Sequence, residues 1–232
     1  MAVGNSKSRR DLLRNSVLLF VASVLFVGVI MFVPAGFAWP RGWLFFFVFY
    51  FFTFLSALYL WRVNPEIFVA RSKIHEGTQS WDKVLMPLLL ASLLAIFVVA
   101  AFDARFGWST VSVTSVILGY ALFTLGFVAS TWVYAVNKFA EPSVRIQTER
   151  GQAVIDTGPY AYVRHPLYAA SIVLFVGMAL AMGSYWALIP VAFGFLVIVV
   201  RIVFEDRLLR NELHGYPEYA SRVRSLLIPG VW

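Results

Sequence analysis

His165 stands between Arg164 and Pro166 in the run GPYAYVRHPLY, with Tyr160, Tyr162 and Tyr168 crowded around it. Pro166 suits the first position of a helix, and the opening turn of a helix presents unpaired N–H groups that attract an anionic group. Tyrosine faces hold a cation. A site offering both, between flat apolar walls, suits a ligand that is zwitterionic, aromatic and positively charged, and S-adenosylmethionine has all three characters. The plainer reading of the same run is helix initiation, with Arg164 as an anchor at the membrane surface.

Arg201 and Glu205 lie four residues apart and share a helix face. They form either a local ion pair beside a snorkelling arginine or two separate contacts to the charged groups of two bound ligands. Asp206 and Arg210 repeat the spacing and read as structural. Gln147 reads by itself as a solvated amide, and the KIHEG and WDK stretches, His75 included, as interfacial packing. With no cysteine and three distant histidines, a metal site is not expected.

These residues sit in a chain of 232 residues that is 60% hydrophobic and only 13% charged, with a mean hydropathy of +0.78. That is the composition of an integral membrane protein. Six apolar segments approach the roughly 20 residues that a spanning helix needs, at 16–33, 42–61, 84–102, 111–136, 167–182 and 185–204. The sequence therefore predicts an all-α, polytopic transmembrane bundle of about six spans. The last two are joined by a tight Gly183-Ser184 link and form a helical hairpin. The first span follows the basic leader KSRRDLLR and is longer than a signal-peptide core, so it reads as an uncleaved helix. Trp39, Trp43, Trp61, Trp81 and Trp108 fall near span ends, as an aromatic belt would.

Seventeen lysines and arginines fall in the leader, the 62–83 and 138–164 loops and the segment from Arg201, against two in the other connections. This asymmetry predicts a multi-pass protein with both termini and both long loops in the cytoplasm. The net charge of +7 is mostly this signal plus attraction to anionic membrane lipids. No stripe of bases and aromatics argues for nucleic acid. Within the loop, β-branched residues on both sides of ERGQ predict a small hairpin or a bent extended segment. The tail predicts a helix to about His214, a Gly-Tyr-Pro turn, and an amphipathic helix with Tyr219, Val223 and Leu226 on one face, lying along the headgroups.

Taken together, GPYAYVRHPLY, then Arg201 with Glu205-Asp206, then GYPEYASRVR and LIPG resemble the isoprenylcysteine carboxyl methyltransferase family, relatives of the membrane phospholipid N-methyltransferases. The resemblance covers roughly 137–232, a methyltransferase-like core that forms one integrated domain with the N-terminal spans of 1–136. It implies a cytoplasmic C-terminal segment that encloses S-adenosylmethionine, with a lipid-like or prenylated acceptor arriving from the bilayer. By motif position the cofactor would be touched by Gln147, Gln152, Ala153, Val154, Ile155, Tyr160, His165, Pro166, Leu167, Tyr168 and Glu205, and Arg201 would face the acceptor. The sequence departs from the family pattern in three places: Ala170 replaces a frequent glycine, Asp206 the second of two glutamates, and Gln152 a histidine found in some members.

Methyl transfer is an in-line displacement that chiefly demands positioning, with the reacting atoms about 3–3.5 Å apart. A carboxylate acceptor needs no general base and is drawn to Arg201 more strongly in a dry site. An amine acceptor must lose a proton, for which Glu205 or Asp206 is the candidate base. Two other classes stay open: an NADPH-dependent sterol- or steroid-type reductase, for whose 2'-phosphate no extra basic site is evident, and a non-catalytic membrane protein, a transporter or assembly factor, which would want ionisable residues in mid-span.

Overall fold

Apolar runs bounded by proline, glycine and asparagine have one way to satisfy their backbone in a bilayer, within the segment itself. The computed structural model describes residues 6–72 and 74–232, and it turns those runs into helices. In chain order they are α1 (Ser6–Ala35), α2 (Pro40–Val63), α3 (Glu66–Ala70), α4 (Asp82–Phe106), α5 (Val113–Val136), α6 (Pro166–Ala181), α7 (Leu188–Glu212) and α8 (Tyr216–Arg222). The KIHEG stretch begins at Lys73, which lies outside the described residues.

Five helices, α1, α2, α4, α5 and α7, are long and apolar enough to cross a membrane. The fifth expected span is α6, whose 16 residues rise only about 24 Å, short of a hydrocarbon core of about 30 Å. Full-length spans thus number five among the described residues, and α6 is the short arm of the C-terminal hairpin with α7. The basic leader is continuous with α1 rather than separate from it.

Small residues let α5 and α6 come together more extensively than any other helix pair. A side-chain carbon at Gly119 would collide with the backbone of Ala181, one at Gly126 would lie 2.5 Å from the nitrogen of Leu174, and one at Gly177 would collide with Phe123. Such near-backbone packing is how helices associate where lipid removes the hydrophobic drive. Around it, Phe45 meets Phe123 edge to face at 5.3 Å and Phe32 stacks on Trp43 at 3.9 Å. Trp39 is itself buried and Trp81 stacks on Phe204, so part of the expected aromatic belt packs against protein instead.

The turn of the hairpin is pinned by buried Asp103 at the end of α4. Its carboxylate accepts from the backbone and hydroxyl of Ser109 and from the hydroxyl of Ser184, at 2.7, 2.7 and 2.5 Å. With the turn fixed, the short arm ends level with a point near Glu205 on the long arm, and Tyr168 bonds Glu205 there.

Of the two forms expected around ERGQ, the bent extended segment is the one present: Thr148–Arg150 is a single 3-10 turn, closed by Gly151 at a φ of +59, inside an otherwise extended loop. The expectation for the tail is corrected, since its amphipathic helix is short and does not reach Leu226. α8 stops at Arg222, Leu226 lies beyond it, and Tyr219 is buried against Leu213, Tyr216, Ile146 and Val154. The chain cannot spare that ring for the headgroups because the loop and the end of α7 already enclose it.

Candidate active site

Arg201 and Glu205 do share a face of α7, but they make no ion pair with each other. Arg201 reaches α4 instead: its Nε donates to Asp82 Oδ1 at 2.7 Å and its Nη2 to Asp82 Oδ2 at 2.9 Å. The same Nη2 donates to the carbonyl of Pro142 at 2.7 Å. Asp82 is fully buried and also accepts from the backbone N–H of Val144. Glu205 accepts the Tyr168 hydroxyl at 2.5 Å, and the Arg201 guanidinium lies 5.7 Å from the centre of the Tyr168 ring. The two α7 residues therefore have separate partners and meet only through Tyr168.

The next residue, Asp206, is the hub of a structural cluster. It accepts from Arg164 Nε at 2.8 Å, Arg210 Nε at 2.8 Å and the Tyr216 hydroxyl at 2.9 Å. Arg164 is thus a buried clamp and not the surface anchor that its position suggests. Its Nη1 donates to the carbonyls of Val223 and Arg224, while the backbone N–H groups of Arg164 and His165 donate to Ser225 and Leu226. A C-terminal strap is thereby laced across the start of α6. His165 is buried, and its Nε2 stands 3.6 Å from Asp206 Oδ1, too far for a hydrogen bond, and has no other partner.

The loop after α5 supplies the third wall. Gln147 is buried, not solvated: it donates from Nε2 to the Phe139 carbonyl and accepts from Arg150 through Oε1, both at 2.7 Å. Its backbone N–H donates to the Gln152 side chain at 2.8 Å. The Tyr160 hydroxyl accepts from Asn137 at 2.7 Å, and the Tyr160 carbonyl accepts the Tyr219 hydroxyl at 2.8 Å. Burial pushes the phenols of Tyr160, Tyr216 and Tyr219 well above their ordinary values, so all three stay protonated in neutral solution. Tyr162 is 67% exposed and leaves the group.

These walls enclose a cavity of about 1260 Å³, above the roughly 300–1,000 Å³ of ordinary ligand pockets. Every residue that the resemblance assigns lies on its wall, from Gln147 and 152–155 through Tyr160 and 165–168 to Arg201 and Glu205. The cavity continues between apolar side chains of the spans, including Val17 and Phe20 of α1, Phe54 and Leu58 of α2, Leu93 of α4 and Phe127 of α5. No group of three or more potential metal ligands occurs among the described residues. Ala170 is buried at the contact with α5, off this wall, so its departure from glycine bears on helix packing.

Sequence reasoning missed four contributors. Asp82 carried the signal of an acid at the head of an apolar span, but its partner is 119 residues away. Asn137, ending α5, holds Tyr160. Tyr216 and Tyr219 border the cavity and lie in the quoted GYPEY motif.

Compared with known proteins, residues 114–214 match the model of the phospholipid methyltransferase family. That segment starts at the head of α5, ahead of residue 137, and runs just past the end of α7. No curated protein matches the chain. With its apolar helices and its cavity between them, this multi-pass membrane protein is thus similar over residues 114–214 to a methyltransferase domain of the phospholipid methyltransferase family, to which the isoprenylcysteine carboxyl methyltransferases also belong.

Proposed function

We propose that this membrane methyltransferase uses S-adenosylmethionine and delivers the methyl group to a hydrophobic or lipid-like acceptor, in the manner of the isoprenylcysteine carboxyl methyltransferases. The observation that carries the reading is one continuous cavity, polar where α6 begins and toward the end of α7 and apolar between the spans, on whose wall all the assigned residues lie. Its volume exceeds that of one ordinary ligand pocket, which suits two ligands meeting inside.

The residues at the polar end fit the cofactor's chemistry. The first turn of α6 offers N–H groups to a carboxylate. Glu205 has no ion-pair partner within 4.0 Å among the described residues, leaving a carboxylate for a cation. His165 Nε2, 3.6 Å from Asp206 Oδ1 and without a hydrogen bond, is a buried polar atom free to bond a ligand atom. When bound, S-adenosylmethionine supplies an electrophilic methyl group on sulfur. The protein's own part is to hold, orient and exclude water, which is most of what such a displacement needs. Toward a carboxylate acceptor Arg201 serves as the electrostatic partner, and toward an amine Glu205 receives the proton. The positive charge around the loops and tail supports placing this end, and both termini, in the cytoplasm.

Calorimetry on detergent-purified protein tests the cofactor. S-adenosylhomocysteine should bind, and Glu205→Ala or His165→Ala should weaken it by about tenfold or more, as expected for loss of a buried polar contact to a charged ligand. No detectable heat at high micromolar ligand overturns the proposal. Labelled methyl transfer into a membrane lipid and protein extract, with identification of the product, then names the acceptor.

A further inference from the structure

We infer that Asp82, on α4 and outside the matched segment, is a positioning residue that presents Arg201 to the methyl acceptor, so that the N-terminal spans complete the reaction site. The inference rests on the methyltransferase reading above and adds a residue to it.

The geometry is one-sided. Asp82 takes the Nε and Nη2 edge of the guanidinium through both carboxylate oxygens, and the second Nη2 hydrogen goes to Pro142. Three of the five guanidinium hydrogens are thereby fixed. The Nη1 group carries no hydrogen bond among the described residues, and Arg201 borders the cavity beside Tyr168. The pair thus turns a long, mobile cation into a rigid two-hydrogen donor with one free edge.

Stability alone does not account for such a pair. Both side chains are buried, at 7% and 0% exposure, and the desolvation of two charges offsets most of what their attraction returns. Fastening the loop to α4 needs only the Val144 N–H bond to Asp82. The bidentate grip on Arg201 is additional, and its product is orientation. It also sets the electrostatics: with Asp82 opposite, Arg201 meets an acceptor as part of a neutral pair, as a directed hydrogen-bond donor and not an uncompensated positive charge.

The test separates position, charge and fold. Asp82→Glu keeps the charge but lengthens the arm, Asp82→Asn keeps the shape but drops the charge, and Asp82→Asn with Arg201→Gln removes both charges. Melting in detergent without cofactor reads the pair itself. Asp82→Asn should lose on the order of 10 °C, as a buried lone cation does, and the double variant should recover part of it. Strictly additive losses overturn the inference. Calorimetry with S-adenosylhomocysteine should show affinity within about threefold of the wild type for Asp82→Glu.

Initial rates with labelled S-adenosylmethionine, using mixed micelles of a farnesylcysteine carboxylate and a phosphatidylethanolamine as probe, complete the test. In Asp82→Glu, kcat should fall at least tenfold with the KM for S-adenosylmethionine within threefold. A folded Asp82→Glu that transfers methyl at the wild-type rate overturns the inference, whatever Asp82→Asn does to folding. Failure of the wild type to bind S-adenosylhomocysteine would instead remove the methyltransferase reading, while the melting cycle would still report on the pair.

Discussion

Tyr168 shows how much one side chain settles in this site. Its hydroxyl is given to Glu205 and its ring lies beneath Arg201, so it spaces the carboxylate from the guanidinium and keeps them from neutralising each other. Tyr168→Phe keeps the ring and frees the carboxylate, and removal of a hydrogen bond to a charged group costs about 1.5–3 kcal/mol. S-adenosylhomocysteine affinity measured by calorimetry is expected to drop about tenfold or more, with the far-ultraviolet helix signal unchanged. An unaltered affinity would mean that Glu205 is aimed by something else. At this scale the sequence was legible wherever chemistry is local: His165, Tyr168 and Glu205 lie within short motifs and do line the cavity. It was not legible where partners are remote. Periodicity says that Arg201 and Glu205 share a face, but it cannot say that Asp82 from another helix has already claimed the arginine. Gln147 and Arg164 were likewise misjudged as surface groups because their burial depends on the loop and the strap closing over them.

Among the elements, the α5–α6 contact is the one most exposed to a single change. Gly126 admits α6 so closely that a side-chain carbon there would lie 2.5 Å from the nitrogen of Leu174. Gly126→Leu must push the two helices apart, and overpacking of this kind costs about 1–3 kcal/mol or more. The variant should melt several degrees lower in detergent and lose S-adenosylhomocysteine binding as His165 and Tyr168 move with α6. Retention of both would show that the helices repack freely. The apolar spans were readable from sequence because length and hydropathy suffice to define them. The bend at ERGQ was readable as one of two forms, and no strand among the described residues offers the pairing that a hairpin needs. The short α8 was not, because the apolar side chains of the tail are buried by tertiary contacts that override their helical spacing.

For the molecule as a whole, orientation follows from charge and can be measured without disturbing any native thiol, since the chain has no cysteine. Single cysteines at Ser109, between α4 and α5, and at Glu218, on α8, should report opposite sides. In sealed vesicles of known sidedness, a membrane-impermeant maleimide is expected to label Glu218→Cys only from the cytoplasmic face and Ser109→Cys only from the other. Labelling of both from one side would contradict the proposed topology. Composition carried the multi-pass architecture, but the union of the N-terminal spans with the C-terminal chemistry was hidden, because the cavity belongs to no single stretch of sequence.

The shortness of α6 gives the site a depth. α7 has 25 residues and α6 has 16, so from their shared turn the short arm stops about 13 Å before its partner does. Pro166 and His165 therefore mark the floor of a recess sunk toward the hydrocarbon, roofed by the strap and α8. Under the proposed function, a lipid acceptor need not be lifted from its leaflet to react, since the hydrophilic ligand is the one that would descend, and leaflet thickness would become a determinant of turnover.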